Sequence, residues 1–378
     1  MDVLAVDLGT STTVATLSVS GREAEVLEVD GSVTMSSAVY AEPDGTLAVG
    51  RDAERRARLD PSRFEPNPKR RIDEGTLQLG GDVVPVADAF AAVLRRIGEQ
   101  AERQLGHPIG QLRISHPARW GAERQAVLRQ AAGQAALGGG MPVLIPEPVA
   151  AAAHYAAGIR LTVPPVSHHH PQPRRFAPPI DSIAVYDLGA GTFDCAVVGV
   201  GERGFTVLAE AGLPDLGSLD IDRALLMHIG REVSHFEPSR WQAILRPKTV
   251  SDRRIRRALL QDVRDAKESL SRHLQTEVPM PEPFPDVLVT RIELEALVRP
   301  GFLRSAELFA ATIHAAALTP RRLGGIYLVG GPSRMPLLAS LLAKQLGVTP
   351  TTQNQPESAV AFGLHKVPVG VPRWARQP

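Results

Sequence analysis

Two short stretches place carboxylates, hydroxyls and small residues where apolar strands turn. In residues 3–17, Asp7-Leu8-Gly9-Thr10-Ser11-Thr12 interrupts two apolar runs. In residues 183–198, Asp187-Leu188-Gly189-Ala190-Gly191-Thr192-Phe193-Asp194 does the same. A buried hairpin has little structural need for so many polar groups at its tip. Small residues let backbone N–H groups approach an anion closely, and neighbouring carboxylates can hold a cation beside it. The composition fits a phosphate–metal site. Its recurrence predicts a duplicated half, with each half presenting one hairpin to a shared ligand.

Asp7, Asp187 and Asp194 offer hard oxygen ligands to a hydrated Mg²⁺, which keeps most of its waters and takes few direct protein contacts. Glu147, set between Pro146 and Pro148, reads either as a carboxylate that orders metal-bound water or as a solvated turn carboxylate. Lys69 is one of five lysines and stands in the loop Pro68-Lys69-Arg70-Arg71. It reads either as a charge partner for a transferring phosphoryl group or as an ordinary surface lysine. Gly330-Gly331 ends an apolar run, and Pro332 suits the first turn of a following helix. The sequence contains no G-x-x-x-x-G-K-[ST], and the glycines after each first strand feed a second strand rather than a helix. Phosphate is therefore expected on hairpin-turn amides from both halves.

Positioning these groups calls for strands first and helices after, twice over, which is an α/β pattern. Strands are expected near 24–29, 33–40, 46–49, 111–115, 143–145, 205–211, 287–290 and 325–331. Helices are expected near 51–59, 87–105, 122–136, 149–157, 220–232, 253–274, 292–297, 301–317, 335–346 and 356–364. Residues 238–247 give no clear pattern. Residues 158–181 are rich in proline, with His168-His169-His170 inside them, and read as a solvated loop or, less simply, a metal-binding tract.

A chain of 378 residues can bury a large core and is expected to form two or more domains. Its net charge of +1 gives no global argument for nucleic acid or an anionic membrane as partner. The single cysteine, Cys195, excludes an intramolecular disulfide and reads as a buried thiol. No basic segment precedes an apolar core at the N-terminus, and no continuous apolar run is long enough to span a bilayer. A soluble, cytoplasmic protein is the expectation.

Six elements appear in order: Asp7-Leu8-Gly9-Thr10, Pro68-Lys69-Arg70, Glu147-Pro148-x-Ala150-Ala151-Ala152, Asp187-Leu188-Gly189-x-Gly191-Thr192-Phe193-Asp194, Leu328-Val329-Gly330-Gly331-x-Ser333-Arg334 and Ala359-Val360-Ala361-x-Gly363. Over roughly residues 1–366 this set resembles the nucleotide-binding domain of the DnaK-type, seventy-kilodalton heat-shock chaperones, within the actin-like ATPases. The resemblance implies a two-lobed α/β fold of duplicated ribonuclease-H-like halves around a nucleotide cleft. Lobe I would span 1–180, with an inserted subdomain near 35–110 and an insertion loop at 159–182. Lobe II would span 181–366, with an inserted subdomain near 223–300.

The resemblance also implies ATP or ADP with Mg²⁺, and K⁺ nearby. Gly9, Thr10, Ser11, Thr12 and Gly189, Ala190, Gly191, Thr192 would cradle phosphate. Asp7, Asp187, Asp194 and Glu147 would order the metal and its waters. Lys69 would act on the γ-phosphate, and Thr192 would position the attacking water beside Asp187. Arg334 would stack on adenine, Ser271 would bond its edge and Lys267 would reach the ribose. Gly217, Gly330, Gly331, Ser333 and Glu357 complete the implied nucleotide set. A co-chaperone or nucleotide-exchange protein would be the partner, with membrane contact only through a segment outside this chain. Ala190 stands for a family glycine, Arg264 for the acidic ribose ligand, and Glu268 and Thr12 also depart from the pattern. Residues 367–378 are proline-rich where a full chaperone carries a leucine-rich linker and a β-sandwich. The activity implied is slow, lobe-switching ATP hydrolysis. The alternative is a nucleotide sensor that hydrolyses little.

Overall fold

The computed structural model describes residues 1–138, 140–162, 182–201, 204–352 and 355–368. The histidine triplet and most of the 367–378 tail lie outside them. Two large mixed sheets organise the chain, and they are wired alike. In the first, Val3–Leu8 lies between its antiparallel hairpin partner Thr12–Ser18 and the parallel strand Gln111–His116. Glu25–Val26 extends the hairpin side antiparallel, and Val143–Pro146 extends the other side parallel. In the second, Ser182–Leu188 lies between Phe193–Gly201, antiparallel, and Gly325–Val329, parallel. Gly204–Leu213 and Thr351–Thr352 flank them in the same senses. Met35–Ser36 adds a short sixth strand to the first sheet, pairing antiparallel with the start of Thr12–Ser18. Counting only the five strands along each sheet's main path, in chain order, both run 3-2-1-4-5. The duplication expected from the two Asp-Leu-Gly turns is therefore present in the topology.

In each half a helix follows the fifth strand, and these two helices, Glu147–Thr162 and Ala359–Lys366, cross between the sheets. Their small residues set the distance. Val149, Ala150, Ala151, Ala152 and Ala153 are buried with Ala359, Val360 and Leu364 in one cluster that also takes Ala5, Ile183, Val185 and Val329 from the two sheets. At Gly363 a Cβ would fall 1.8 Å from the carbonyl oxygen of Ala150, so the crossing tolerates no side chain there.

One helix joins the fourth to the fifth strand in each half, Ala122–Ala135 and Pro336–Leu346, and the connections between the third and fourth strands carry most of the remaining elements. In the first half these include the helix Val86–Leu105, whose buried Phe90, Val93, Leu94, Ile97 and Ala101 follow helical spacing. The hairpin Thr76–Leu79 with Asp82–Pro85 precedes it, announced in sequence by Gly80-Gly81 but not anticipated as strands. In the second half, Ser218–Val233, Pro238–Leu245 and Val250–Leu270 are helices. Residues 238–247 thus acquire a helix, with proline at its first turn where the missing donor is tolerated.

Residues 291–315 form one helix, Arg291–Ala315, and not two broken at Pro300. An interior proline costs about 3 kcal/mol. Both halves bury large side chains in the same core, Leu294 and Val298 before it and Phe302, Phe309 and Ile313 after it. Each such burial is worth about 1.5–3 kcal/mol, so packing outweighs the break. Cys195 is a free, buried thiol, pushed up to about 11 by burial. Among the described residues no helix is long and apolar enough to cross a membrane.

Candidate functional site

The two hairpin turns meet tip to tip. Gly191 packs on Thr10 so tightly that a Cβ at Gly191 would lie 2.8 Å from Thr10 Oγ1. Below the second turn, the helix Ser218–Val233 donates Ser218 N–H to Gly189 O and Leu219 N–H to Ala190 O, each at 3.0 Å. The carbonyls of that turn are thus tied down. Among the described residues, the N–H groups of Thr10, Ser11, Ala190, Gly191 and Thr192 have no acceptor in the protein. Backbone donors gathered in this way form an anion-binding concavity. Ala190 does not take a positive φ, so its side chain adds no backbone strain. Gly330 does, at 86°, and a Cβ there would strike Leu188 O at 2.1 Å, so only glycine brings the third turn against the second hairpin.

Between these turns lies a cavity of about 650 Å³. Its walls include Asp7, Gly9, Thr10, Ser11 and Thr12 from the first hairpin, and Asp187, Gly189, Ala190, Gly191, Thr192 and Asp194 from the second. Lys69, Glu147, Gly330, Gly331 and Glu357 complete the expected residues that line it. Lys69 comes from the 3-10 turn Pro68–Glu74, entered through a proline, and not from an open loop. Glu147 is the first residue of the crossing helix Glu147–Thr162.

Charge at the floor is unbalanced toward acid. Lys69 Nζ donates to Glu147 Oε1 at 2.9 Å. Burial alone would lower the lysine's pKa, yet Glu147, Asp7 and Asp187 outweigh it and hold the pKa above its ordinary value. Asp7 is raised to about 6 by burial and by the Glu147 charge, against a bond from Ser115 Oγ at 2.5 Å. Asp194 is raised to about 6 by burial, opposed by Thr192 Oγ1, which donates to its Oδ2 at 2.8 Å. Asp187 stands well above the usual carboxylate range, through burial and then Glu147, Asp194 and Asp7. Buried carboxylates pushed up by one another form a site that a divalent cation would relieve. Among the described residues no three such side chains converge closely enough to cage a bare ion. That fits a metal held largely through water and phosphate oxygens.

Five expected nucleotide contacts lie outside the cavity lining. Gly217 packs under the second turn, where a Cβ would meet Ala190 O at 2.5 Å. Lys267 is buried against Asp222 at 2.6 Å and also bonds Ser218 Oγ. Ser271 Oγ turns back to Lys267 O, and Ser333 Oγ to Gly330 O at 2.6 Å. Arg334 is paired with Glu357 at 2.7 Å. The structure adds residues that the sequence reading did not single out. Ser115 holds Asp7, and Asn67 Oδ1 accepts from Ser11 Oγ at 2.8 Å. Lys69 Nζ stands 5.3 Å from the ring centre of Trp120, and Arg119 lines the cavity beside it. None of these carries a local sequence signal. Only the tertiary fold brings them in.

A family model described as Hsp70 protein matches residues 76–366, most of the chain. The chain belongs to the Hsp70 family. It is 28% identical over 394 residues to the chaperone protein DnaK of Thermus thermophilus, covering 95% of this chain and 59% of the relative. Against dnaK3 of Synechococcus elongatus the identity is 28% over 398 residues, covering 96% and 49%. Against DnaK of Thermotoga maritima it is 28% over 378 residues, covering 96% and 58%. The chain therefore spans about half to three-fifths of the length of these Hsp70 relatives. The duplicated sheets around a central cavity are the actin-like ATPase fold of the Hsp70 nucleotide-binding domain.

Proposed function

We propose that this Hsp70-family chain binds ATP and ADP with Mg²⁺ in the cavity between its hairpin turns and hydrolyses ATP slowly. The observation that carries this reading is the set of unpartnered N–H groups on the facing turns, set over buried carboxylates and Lys69. Thr10, Ser11, Ala190, Gly191 and Thr192 would donate to the β- and γ-phosphates, with Gly9 and Gly189 giving the close approach. Asp7, Asp187, Asp194 and Glu147 would hold the hydrated metal. Bound there, Mg²⁺ would supply charge that neutralises the phosphates and the crowded carboxylates.

Hydrolysis forms a bond from water oxygen to the γ-phosphorus as the bridge bond to ADP breaks, with the electron pair leaving on ADP. Thr192 and Asp187 orient the water, whose proton passes to the phosphate product or solvent. Lys69 meets the charge on the transferring group, exchanging its bond to Glu147 for one to phosphate. Gly330, Gly331, Ser333, Arg334 and Glu357 would form one wall for the nucleoside. Lys267, Ser271 and Gly217 would form the other, which requires Lys267 to leave Asp222. The lobes, divided near residue 181, would close on ATP and open on ADP, with their inserted subdomains forming the cleft's outer walls.

A K⁺ ion near the phosphates, a co-chaperone or exchange protein as partner, a chaperone role and a cytoplasmic location belong to the same reading. Single-turnover phosphate release in Mg²⁺ and K⁺ tests it. A slow release that wild type shows and Lys69→Ala loses is expected. Tight ATP binding without phosphate release over hours would favour the nucleotide sensor instead.

A further inference from the structure

The basic side chains around the cavity differ in one respect. Lys69 is paired with Glu147 at 2.9 Å, Arg70 lies 3.5 Å from Asp220, and Arg124 grips Asp73 at 2.7 Å. Arg119 lines the same cavity, yet among the described residues its guanidinium makes no hydrogen bond and no ion pair. It is held in place by its backbone. Residues 117–120 turn directly after the strand Gln111–His116, closed by Trp120 N–H to Pro117 O at 3.0 Å, and the Trp120 side chain is buried.

Where Arg119 points is marked by Gly212. A Cβ on that glycine would fall 2.8 Å from Arg119 Nη1 and 2.6 Å from Asp194 Oδ1. The cation and the carboxylate thus press on one spot without closing to ion-pair distance. A recess whose charged lining is Arg119, Glu147, Asp187, Asp194 and Glu210 continues the cavity at this end. A guanidinium placed among carboxylates ordinarily pairs with one, because a charge-assisted, two-pronged bond is among the strongest side-chain contacts. Here the guanidinium is left without an ion pair beside the acidic floor, where the transferring phosphoryl group would sit.

We propose that Arg119 is a second cationic partner, beside Lys69, for the terminal phosphate of the bound nucleoside triphosphate. This rests on the reading that the cavity takes ATP with Mg²⁺. As the bond from water to the γ-phosphorus forms and the bridge to ADP breaks, the planar fork spans γ-phosphate oxygens, holding charge that a single ammonium meets at one point. ADP, which lacks those oxygens, gains nothing from Arg119. The residue therefore also sets the preference for triphosphate over diphosphate.

The test compares the full chain with Arg119→Ala and Arg119→Lys, measuring ATP and ADP affinity by calorimetry in Mg²⁺ and phosphate release in single turnover. Arg119→Ala is expected to weaken ATP about tenfold, as for a lost hydrogen bond to a charged group. ADP affinity stays within about twofold, which also reports an intact fold. Release at saturating ATP slows on the order of 10²–10³. Arg119→Lys recovers part of both effects because it keeps the charge but not the fork. An unchanged ATP-to-ADP affinity ratio with unchanged release overturns the proposal, and so does an equal loss for both nucleotides. Wild type binding neither nucleotide overturns the reading beneath it, and this assignment with it.

Discussion

Lys69 Nζ sits 2.9 Å from Glu147 Oε1, tying the 3-10 turn Pro68–Glu74 to the first residue of the crossing helix Glu147–Thr162. Both side chains are largely buried, 10% and 13% exposed, and Asp7 and Asp187 lie near enough to act on the lysine's charge. Replacing Lys69 by Met is expected to slow phosphate release on the order of 10²–10³ while ADP still binds. It also strands Glu147 among like charges, at about 3 kcal/mol of stability by chemical denaturation. Adding Glu147→Gln restores most of that stability and none of the rate. Recovery of the rate in the double variant would show that the pair, and not the lysine's charge, is what the reaction needs.

Asp7 and Asp194, both raised from 3.8 to about 6, give a pH dependence with a definite sign. Between about 4 and 6 the folded protein binds more protons at these positions than the unfolded chain, so each contributes stability at low pH that is lost as pH rises through 6. A bound cation needs both ionised. Magnesium-dependent nucleotide affinity should therefore fall as pH drops below about 6, and the rise in Tm that MgADP gives should widen from pH 5 to 7. Calorimetry and thermal melts of wild type and Asp194→Asn check this. A nucleotide-induced shift equal at pH 5 and 7 would contradict it.

How much of this was legible in the sequence differs by element. Both hairpins, their carboxylates and the small residues of the crossing helices are written locally, in alternating apolar runs and in Gly and Ala at fixed offsets. The duplication followed from two Asp-Leu-Gly turns, and strand order then agreed. The unbroken helix through Pro300 was not legible, because local propensity says stop and only the shared core of Val298 and Phe302 says continue. Asn67, Ser115, Arg119 and Trp120 were missed for a related reason. Arg119 and Trp120 line the cavity, and Asn67 and Ser115 bond residues that line it, each from a segment whose own pattern is ordinary. The pairing of Lys267 with Asp222 spans 45 residues, and no local rule foresees it.

Across the outer end of the molecule, the helix Val250–Leu270 touches the segment 54–64. Arg257 pairs with Glu54 and lies 4.8 Å from the ring centre of Phe64, while Arg254 donates to Leu59 O. These partly exposed contacts are individually modest. Glu54→Ala or Arg257→Ala is expected to speed nucleotide release about two- to fivefold in stopped flow, with the swapped pair Glu54→Arg and Arg257→Glu slowing it again. Release unchanged in all three would mean that these contacts do not bear on opening.

The crossing of the two small-residue helices depends on Gly363, where a Cβ would meet Ala150 O at 1.8 Å. Gly363→Ala must separate the helices, and is expected to lower stability by about 1–3 kcal/mol in urea denaturation. A neutral or stabilising effect, as for a glycine replaced in a free helix, would contradict this packing.

Calorimetric titration of the full chain with ADP and ATP, with and without Mg²⁺, is the sharpest check on the proposed site. One site per chain is expected, with an affinity that depends on magnesium and is lost in Asp7→Asn with Asp187→Asn, while the fold persists by circular dichroism. Absence of any magnesium-dependent adenine-nucleotide binding by the folded wild type would contradict it.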